Sequence, residues 1–310
     1  KMKTICVLKG GISSEREVSL VSGTAIANEL RTMDYDVFEL DPADHPRLDE
    51  LLTAIKTRHA DLVFIGLHGG LGENGKLQAA LELAGIPHTG SGFEACCVTM
   101  DKYLSKLTAS AEGIPTPAYI LMREDLVNDY NTAEDLQGFL SGTSMPVVVK
   151  PNDGGSSVGI SLVREIGDFK QAVKLAFREA KHVLVEQFIP GRELTVTVLD
   201  GQALPVVEIK PLQGWYDYKN KYTKGNTEYI APAEIEPATA QLVQLYATRL
   251  WHAFGLKGYA RVDFRYDGSQ AWFLEVNTLP GMTSLSLTPM AAKAAGISFS
   301  GLLERIINLS

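Results

Sequence analysis

Residues 63–85, VFIGLHGGLGENGKLQAALELAG, run from an apolar strand through a glycine-rich loop into a helix, and the reading of that loop decides the fold. Gly70 to Lys76 match the phosphate-loop pattern G-x-x-x-x-G-K. A working phosphate loop follows its lysine with a hydroxyl that holds magnesium beside the β- and γ-phosphates. The next residue here is Leu77, which has no oxygen. The glycines therefore serve a tight strand-to-helix turn. Nucleotide chemistry has to be sought elsewhere in the chain.

Working outward, 4–9, 35–40 and 61–67 are short apolar runs suited to buried parallel strands. Helical patterns separate them: Val18, Val21, Ala25, Ile26 and Leu30, then Leu48, Leu51, Leu52 and Ile55. This β-α-β-α-β order predicts an open parallel sheet, whose functional loops follow the strand ends. KGGISSE and HGGLGENG both fall there. Beyond residue 101 the texture changes. A helix over about 101–112 precedes strands at 146–150 and 157–163, a helix near 165–180 and a strand at 182–188. The last third holds strands that turn at Asp200-Gly201, a tyrosine- and lysine-rich loop over 214–229, a helix over 237–254, a hairpin across YDGS and two short helices.

Bulk properties bound the function. With 310 residues the chain has room for two or three domains. A net charge of −8 argues against a nucleic-acid binder but allows a local basic pocket for a small anion. Three cysteines, two of them the adjacent pair Cys96 and Cys97, make no disulfide framework and no zinc motif. No apolar run approaches the ~20 residues of a membrane span, and the expectation is a cytoplasmic protein.

Three stretches carry chemistry. In GGSSVG, 154–159, backbone N–H groups can fold round phosphate oxygens, with the Ser156 and Ser157 hydroxyls adding donors; Lys150, ending VVVK, stands beside it. In RVDFRYDGSQAWFLEVN, 261–277, alternation sends Arg261, Asp263 and Arg265 to one face, while Glu275 and Asn277 share a face on the returning strand. Asp263, Glu275 and Asn277 can thus converge on a magnesium ion whose shell substrate phosphates complete. Arg261 is placed to neutralise an oxyanion or a transferring phosphoryl group. In GGISSEREVSL, 10–20, Ser14 and Glu17 read as a capping box, and the Gly10-Gly11 pair would let a ligand approach the backbone. Glu15 there could meet a ligand ammonium. WYDYKNKY, 215–222, reads as a lid from which Lys221 reaches a phosphate and Tyr222 hydrogen-bonds at the site.

In this order the motifs GGISSEREVSL, LHGGLGENG, MDK, VVVKP, GGSSVG, VEQF, GRELTV, DYKNKY, ARVDF, LEVNTLPGMTS and PMAA resemble the D-alanine–D-alanine ligases of the ATP-grasp superfamily over essentially the whole chain. The resemblance implies an α/β and α+β fold of three domains. These are an N-terminal open parallel sheet (1–101) and two α+β domains (102–190 and 191–310) that enclose ATP. It implies ATP contacts from Lys102 and Lys150 at the phosphates, Ser157 in the glycine-rich loop, Glu186 near the adenine, Glu193 at the ribose and Lys221 at the γ-phosphate. Asp263, Glu275 and Asn277 match ligands of Mg²⁺ (or Mn²⁺), with two ions expected. Arg261 and the Gly281 N–H match the oxyanion-stabilising pair. Glu15, Ser156 and Tyr222 match a triad beside the first D-alanine, and His68 lies near that substrate. Ser286 and Leu287 match positions at the second D-alanine.

The implied reaction is two-step. A D-alanine carboxylate attacks the γ-phosphate to give an acyl phosphate, which the amine of a second D-alanine then attacks, producing dipeptide for peptidoglycan precursors. A homodimer with small-molecule substrates, no nucleic acid and no membrane is implied. Two departures bear on selectivity: Leu285 stands where many relatives carry histidine, and Asn74 where aspartate is common. The alternatives are the same chemistry on another acceptor, such as D-serine or D-lactate, and a nucleotide-binding regulator without catalysis.

Overall fold

Apolar runs set the first sheet. In the computed structural model, which describes residues 2–125, 145–155, 158–212 and 226–310, Thr4–Leu8 (β1) is buried along its whole length. Arg16–Thr32 (α1) crosses to Asp36–Leu40 (β2), and Leu48–Thr57 (α2) crosses to the fully buried Leu62–Ile65 (β3). The sheet order is β2-β1-β3, all parallel, with Ile5 opposite Val37 on one side and Leu62 on the other. Strands covered on both faces are expected to be apolar throughout, as β1 and β3 nearly are; the edge strand β2, DVFEL, buries only Phe38.

Gly70–Glu73 (α3) and Lys76–Leu83 (α4) follow the glycine loop, then Phe93–Met100 (α5) and Lys102–Ala111 (α6). Lys76 points to solvent while Leu77 is wholly buried, so the segment is a packed helix start. Asp101 caps α6, its carboxylate accepting from the Leu104 N–H at 2.9 Å.

A second sheet comprises Tyr119–Arg123 (β4), Val147–Pro151 (β5), Ser161–Val163 (β6) and His182–Gln187 (β7), in the antiparallel order β4-β7-β5-β6. Ile166–Ala176 (α7) packs on it through Phe169, Ala172, Val173 and Ala176, the face that the helical period predicts. The third sheet is built from Arg192–Leu199 (β8), Gln202–Ala203 (β9), Val207–Pro211 (β10), Thr227–Ile230 (β11), Tyr259–Tyr266 (β12) and Ala271–Asn277 (β13), with the helix Pro237–Phe254 (α8) between β11 and β12. Its order is β11-β10-β8-β12-β13, and β9 pairs with β8. Asp200 and Gly201 both take positive φ, 52° and 72°, the conformation that an Asp-Gly hairpin turn requires.

Two final helices, Leu287–Ala294 (α9) and Phe299–Asn308 (α10), return to the start of the chain. Leu302, Leu303, Ile306 and Ile307 join Ile5, Ile26 and Leu30 in one core. Fully burying a side chain of this size contributes about 1.5–3 kcal/mol, so the last helix is part of what holds the first sheet. An open parallel sheet followed by two antiparallel α+β units is the expected fold class. Of the sequence-derived site residues, Ser156, Ser157, Lys221 and Tyr222 lie outside the described residues, as does most of the 214–229 segment read as a lid.

Candidate active site

The β12–β13 hairpin places four of the expected residues in two facing pairs: Asp263 opposite Glu275 and Arg261 opposite Asn277. Alternation along β12 puts Arg261 and Asp263 on one face, where Arg261 forks onto Asp263 with two bonds of 2.9 Å. Thr195 on β8, paired with Asp263 in register, donates its hydroxyl to the same carboxylate at 2.6 Å. Both charged side chains are buried, so this bidentate pairing is what keeps them in place. The register shifts directly after Asp263, a bulge of the kind that re-aims side chains beside a site.

Arg261, Asp263 and Glu275 form one wall of an open cavity. Val148, Ile160, Phe188, Ile189 and Leu274 give it an apolar slot, and Lys102, Lys150, Glu186, Glu193, Arg265 and Glu275 surround that slot with charge. Lys102 opens α6, whose N-terminus is tied to Asn152: the Lys102 N–H donates to the Asn152 carbonyl at 3.0 Å and the Tyr103 N–H to Asn152 Oδ1 at 2.9 Å. From there the Lys102 ammonium donates to the Gly154 carbonyl at 2.7 Å and lies 3.3 Å from Glu275 Oε2. It links the glycine-rich loop to the hairpin carboxylates.

At the other end of the slot, Lys150 donates to Glu186 Oε1 at 3.1 Å, and Glu186 Oε2 pairs with Lys106. Burial pushes the Lys106 ammonium down to about 8, against the pull of Glu186. Burial acts to raise the Glu186 carboxyl, but the two lysines together hold it below its ordinary range. Glu193 is pushed up to about 7, first by burial and then, against Arg265, by the Asp263 and Glu275 charges.

That negative field bears on cation binding. The available donors are two carboxylates and the Asn277 amide oxygen, all hard, and the field they set up is one that a divalent cation would relieve. Among the described residues no three His, Cys, Asp or Glu side chains gather into a cage. An incomplete all-oxygen shell is what magnesium accepts, since it keeps waters and takes substrate phosphates. The residues present fit the ion.

The loops that follow the N-terminal strands approach the glycine-rich loop. Glu15 is the residue before α1, and its carboxylate reaches both other loops: a Cβ on Gly69 would lie 2.7 Å from Oε2, and one on Gly155 would lie 3.1 Å away. Glu15 therefore stands next to the loop that carries Ser156. His68 is buried, with Nδ1 2.8 Å from the Leu279 carbonyl and Nε2 2.9 Å from the Ser22 hydroxyl. Glu73 accepts from the Gly69 N–H at 2.6 Å and from the Leu279 N–H at 3.2 Å. Gly281 follows this pinned segment, and a Cβ there would lie 2.7 Å from Ser286 Oγ, so a side chain would displace that hydroxyl. Ser286 precedes α9 and bonds Thr283 through its hydroxyl, Leu287 is buried, and Leu285 is 61% exposed.

Two local expectations are corrected. Ser14 does not cap α1: the helix has no side-chain cap, and Ser13 instead takes the Glu15 N–H at 3.2 Å while donating to the His68 carbonyl at 2.6 Å. The Gly10-Gly11 pair faces protein rather than a ligand, because Ser19 and Asp41 accept its two N–H groups at 2.8 and 2.9 Å. The sequence reading missed Ser22, Glu73, Lys106 and Thr195, whose partners lie far along the chain; only the four-residue spacing of Lys102 and Lys106 on one helix hinted at a shared face.

Comparison with known proteins places this geometry. The family model described as D-ala D-ala ligase C-terminus matches residues 108–308, and the one described as D-ala D-ala ligase N-terminus matches residues 39–91. A D-alanine–D-alanine ligase of Gloeobacter violaceus is 45% identical over 99% of each chain. One of Syntrophotalea carbinolica is 43% identical, over 99% of this chain and 96% of its own. The crystal structure of D-alanine–D-alanine ligase from Bacillus anthracis complexed with ATP superposes with a TM-score of 0.85 at 31% identity, covering 100% of this chain and 97% of that one. The VanG D-Ala:D-Ser ligase from Enterococcus faecalis gives a TM-score of 0.85 at 30% identity, covering 100% and 99%.

Proposed function

The chain belongs to the D-alanine–D-alanine ligase family, and from that premise we propose how its residues divide the reaction. The enzyme is an ATP-dependent, ADP-forming ligase that joins two D-alanines. In our reading residues 1–101, 102–190 and 191–310 are its three domains, the enzyme is a cytoplasmic homodimer, and its product serves peptidoglycan precursor synthesis. The observation that carries the assignment of roles is the Arg261–Asp263 fork, paired across the hairpin with Asn277 and Glu275, at the charged wall of the cavity.

ATP lies with its base in the apolar slot, between Val148, Ile160 and Leu274, and its phosphates toward Lys102 and the glycine-rich loop with Ser157. Lys150 keeps the phosphate role that the resemblance implies and is in our reading also placed beside the base: Glu186 Oε1 and the Lys150 ammonium, 3.1 Å apart, set an acceptor beside a donor. Adenine presents the complementary edge, an amino donor beside the N7 acceptor, where guanine presents two acceptors. Glu193 takes the ribose, and Lys221 the γ-phosphate. Asp263, Glu275 and Asn277 would hold magnesium or manganese, one or two ions, which when bound neutralises the charge of the β- and γ-phosphates.

Glu15, with Ser156 and Tyr222, and His68 hold the first D-alanine, Glu15 meeting its ammonium. Its carboxylate attacks the γ-phosphate and displaces ADP, and Arg261 meets the charge that builds on the transferring oxygens. Arg261 and the Gly281 N–H then receive the oxyanion formed when the second amine attacks the acyl phosphate; the amine gives up a proton and the intermediate collapses, expelling inorganic phosphate and leaving the dipeptide. Ser286 and Leu287 position that second D-alanine. Closure of the 214–229 segment would exclude water from the acyl phosphate.

Phosphate release from Mg-ATP with D-alanine, beside L-alanine, D-serine and D-lactate and with products weighed, tests this reading. Release that depends on D-alanine and yields the dipeptide supports it. Preference for D-serine or D-lactate would move the acceptor, with exposed Leu285 the first residue to revisit. ATP binding without turnover on any acceptor would leave the regulatory alternative.

A further inference from the structure

Lys106 is among the largest wholly buried side chains of the protein and does not touch the cavity. It lies one helical turn beyond Lys102 on α6, behind the wall that Glu186 forms. Its ammonium pairs with Glu186 Oε2 and donates to Thr116 Oγ1 at 2.8 Å; that hydroxyl donates to the Phe273 carbonyl at 3.0 Å. The Tyr119 ring lies over the ammonium at 5.7 Å. A charge this deep is costly even when paired, and a charged lysine needs a reason to be there.

Its partner supplies the reason. Glu186 has one oxygen on Lys106 and the other, Oε1, bonded to Lys150. Glu186 and Lys150 both line the cavity. We propose that Lys106 is a positioning residue for nucleotide selection: from behind the cavity wall it anchors Glu186 Oε2, so that Oε1 stays an ionised acceptor beside the Lys150 donor. The proposal rests on the reading that Glu186 faces the base. A carboxylate so fixed accepts from an amino group and repels an oxo group at the same place, because an ionised carboxylate has no proton to donate. Without Lys106 the carboxyl would have one cation, more rotational freedom and a greater tendency to take a proton. A protonated or mobile Glu186 could serve an oxo base, and selection would narrow.

Inosine triphosphate is the probe, since its base carries an oxo group where adenine carries the amino group. The experiment measures kcat and KM with ATP and with inosine triphosphate for the wild type, K106M, E186Q and the double variant, with thermal unfolding of each. Glutamine offers either a carbonyl or an amide N–H, so E186Q is expected to lower the ratio of kcat/KM for the two nucleotides. K106M is expected to lower that ratio about tenfold, chiefly by raising KM for ATP, as the loss of one charged hydrogen-bonding arrangement would. On the E186Q background K106M is expected to change the ratio no further.

Folded K106M with the wild-type ratio overturns the proposal, and so does a double variant less selective than E186Q. If K106M alone does not fold, the comparison of E186Q with the double variant, where both buried charges are gone, decides in the same way. E186Q with unchanged selectivity would instead overturn the reading of Glu186 at the base. A merely structural lysine would shift the unfolding temperature and leave the nucleotide ratio alone.

Discussion

His68 Nδ1 lies 2.8 Å from the carbonyl oxygen of Leu279, 211 positions further along the chain. A carbonyl only accepts, so Nδ1 carries the proton, and in the neutral ring Nε2 accepts from the Ser22 hydroxyl at 2.9 Å. Ser22 Oγ accepts in turn from the Met282 N–H at 3.1 Å. The relay fastens the segment that carries Gly281 to the first sheet. Replacing Ser22 with alanine leaves a buried N–H and a ring nitrogen without this partner. The expected result is about 1–3 kcal/mol of lost stability and a kcat/KM for D-alanine reduced by roughly tenfold. Thermal unfolding with steady-state kinetics checks it; wild-type kinetics in a destabilised protein would leave the relay a purely structural role.

Arg261→Ala separates chemistry from binding. The fork onto Asp263 is lost, and with it the cation proposed for both charged transition states. Turnover is expected to fall by at least about a hundredfold, the scale of removing one oxyanion donor, while ATP affinity changes little. Lysine at this position should not restore the rate, because a point charge cannot make the two-pronged contact. Full activity in Arg261→Ala would remove the residue from the mechanism.

Chelation gives a third expectation. Treatment with EDTA is expected to abolish turnover, and added magnesium or manganese to restore it. Glu275→Gln, which keeps the shape and the strand pairing, is expected to raise the magnesium concentration for half-maximal rate by about tenfold or more. Unaltered magnesium dependence in this variant would place the ion elsewhere.

What the sequence disclosed and what it hid follow from the range of the forces involved. The hairpin at 261–277 was legible because its alternation and its YDGS turn are local, and these alone bring Asp263 opposite Glu275. The first sheet was legible for the same reason. Lys106 was not: within its own helix it is one more lysine, and only Glu186, 80 residues away and on another sheet, makes it a buried cation. Ser22 and Glu73 are hidden likewise, since their partners Met282 and Leu279 lie more than 200 positions on. Ser14 misled because a capping pattern is defined by spacing, whereas the fold takes Ser13 for the task of bridging to His68. Nor does any local pattern show that α10 completes the core of β1.

The hairpin has a latch whose pH dependence has a definite sign. Asp267 opens the turn between β12 and β13, and its carboxylate accepts from the Gln270 N–H at 2.8 Å, the Trp272 indole at 2.8 Å and the Ser269 N–H at 2.9 Å. The Gln270 bond first, then Trp272 and Ser269, hold the carboxyl well below the usual carboxylate range of about 3.8. A carboxyl depressed on folding contributes stability that is complete above its ordinary value and is lost only as pH falls through the lowered one. Asp267→Ala is therefore expected to lower the unfolding temperature by roughly 2–4 °C. That gap should stay constant from pH 8 to pH 5 and begin to close only below about pH 4. Unfolding midpoints of both proteins across this range decide the matter. A gap that stays constant as pH falls well below 4 would mean that the carboxyl is not depressed and that some other group latches the turn presenting Asp263 and Glu275.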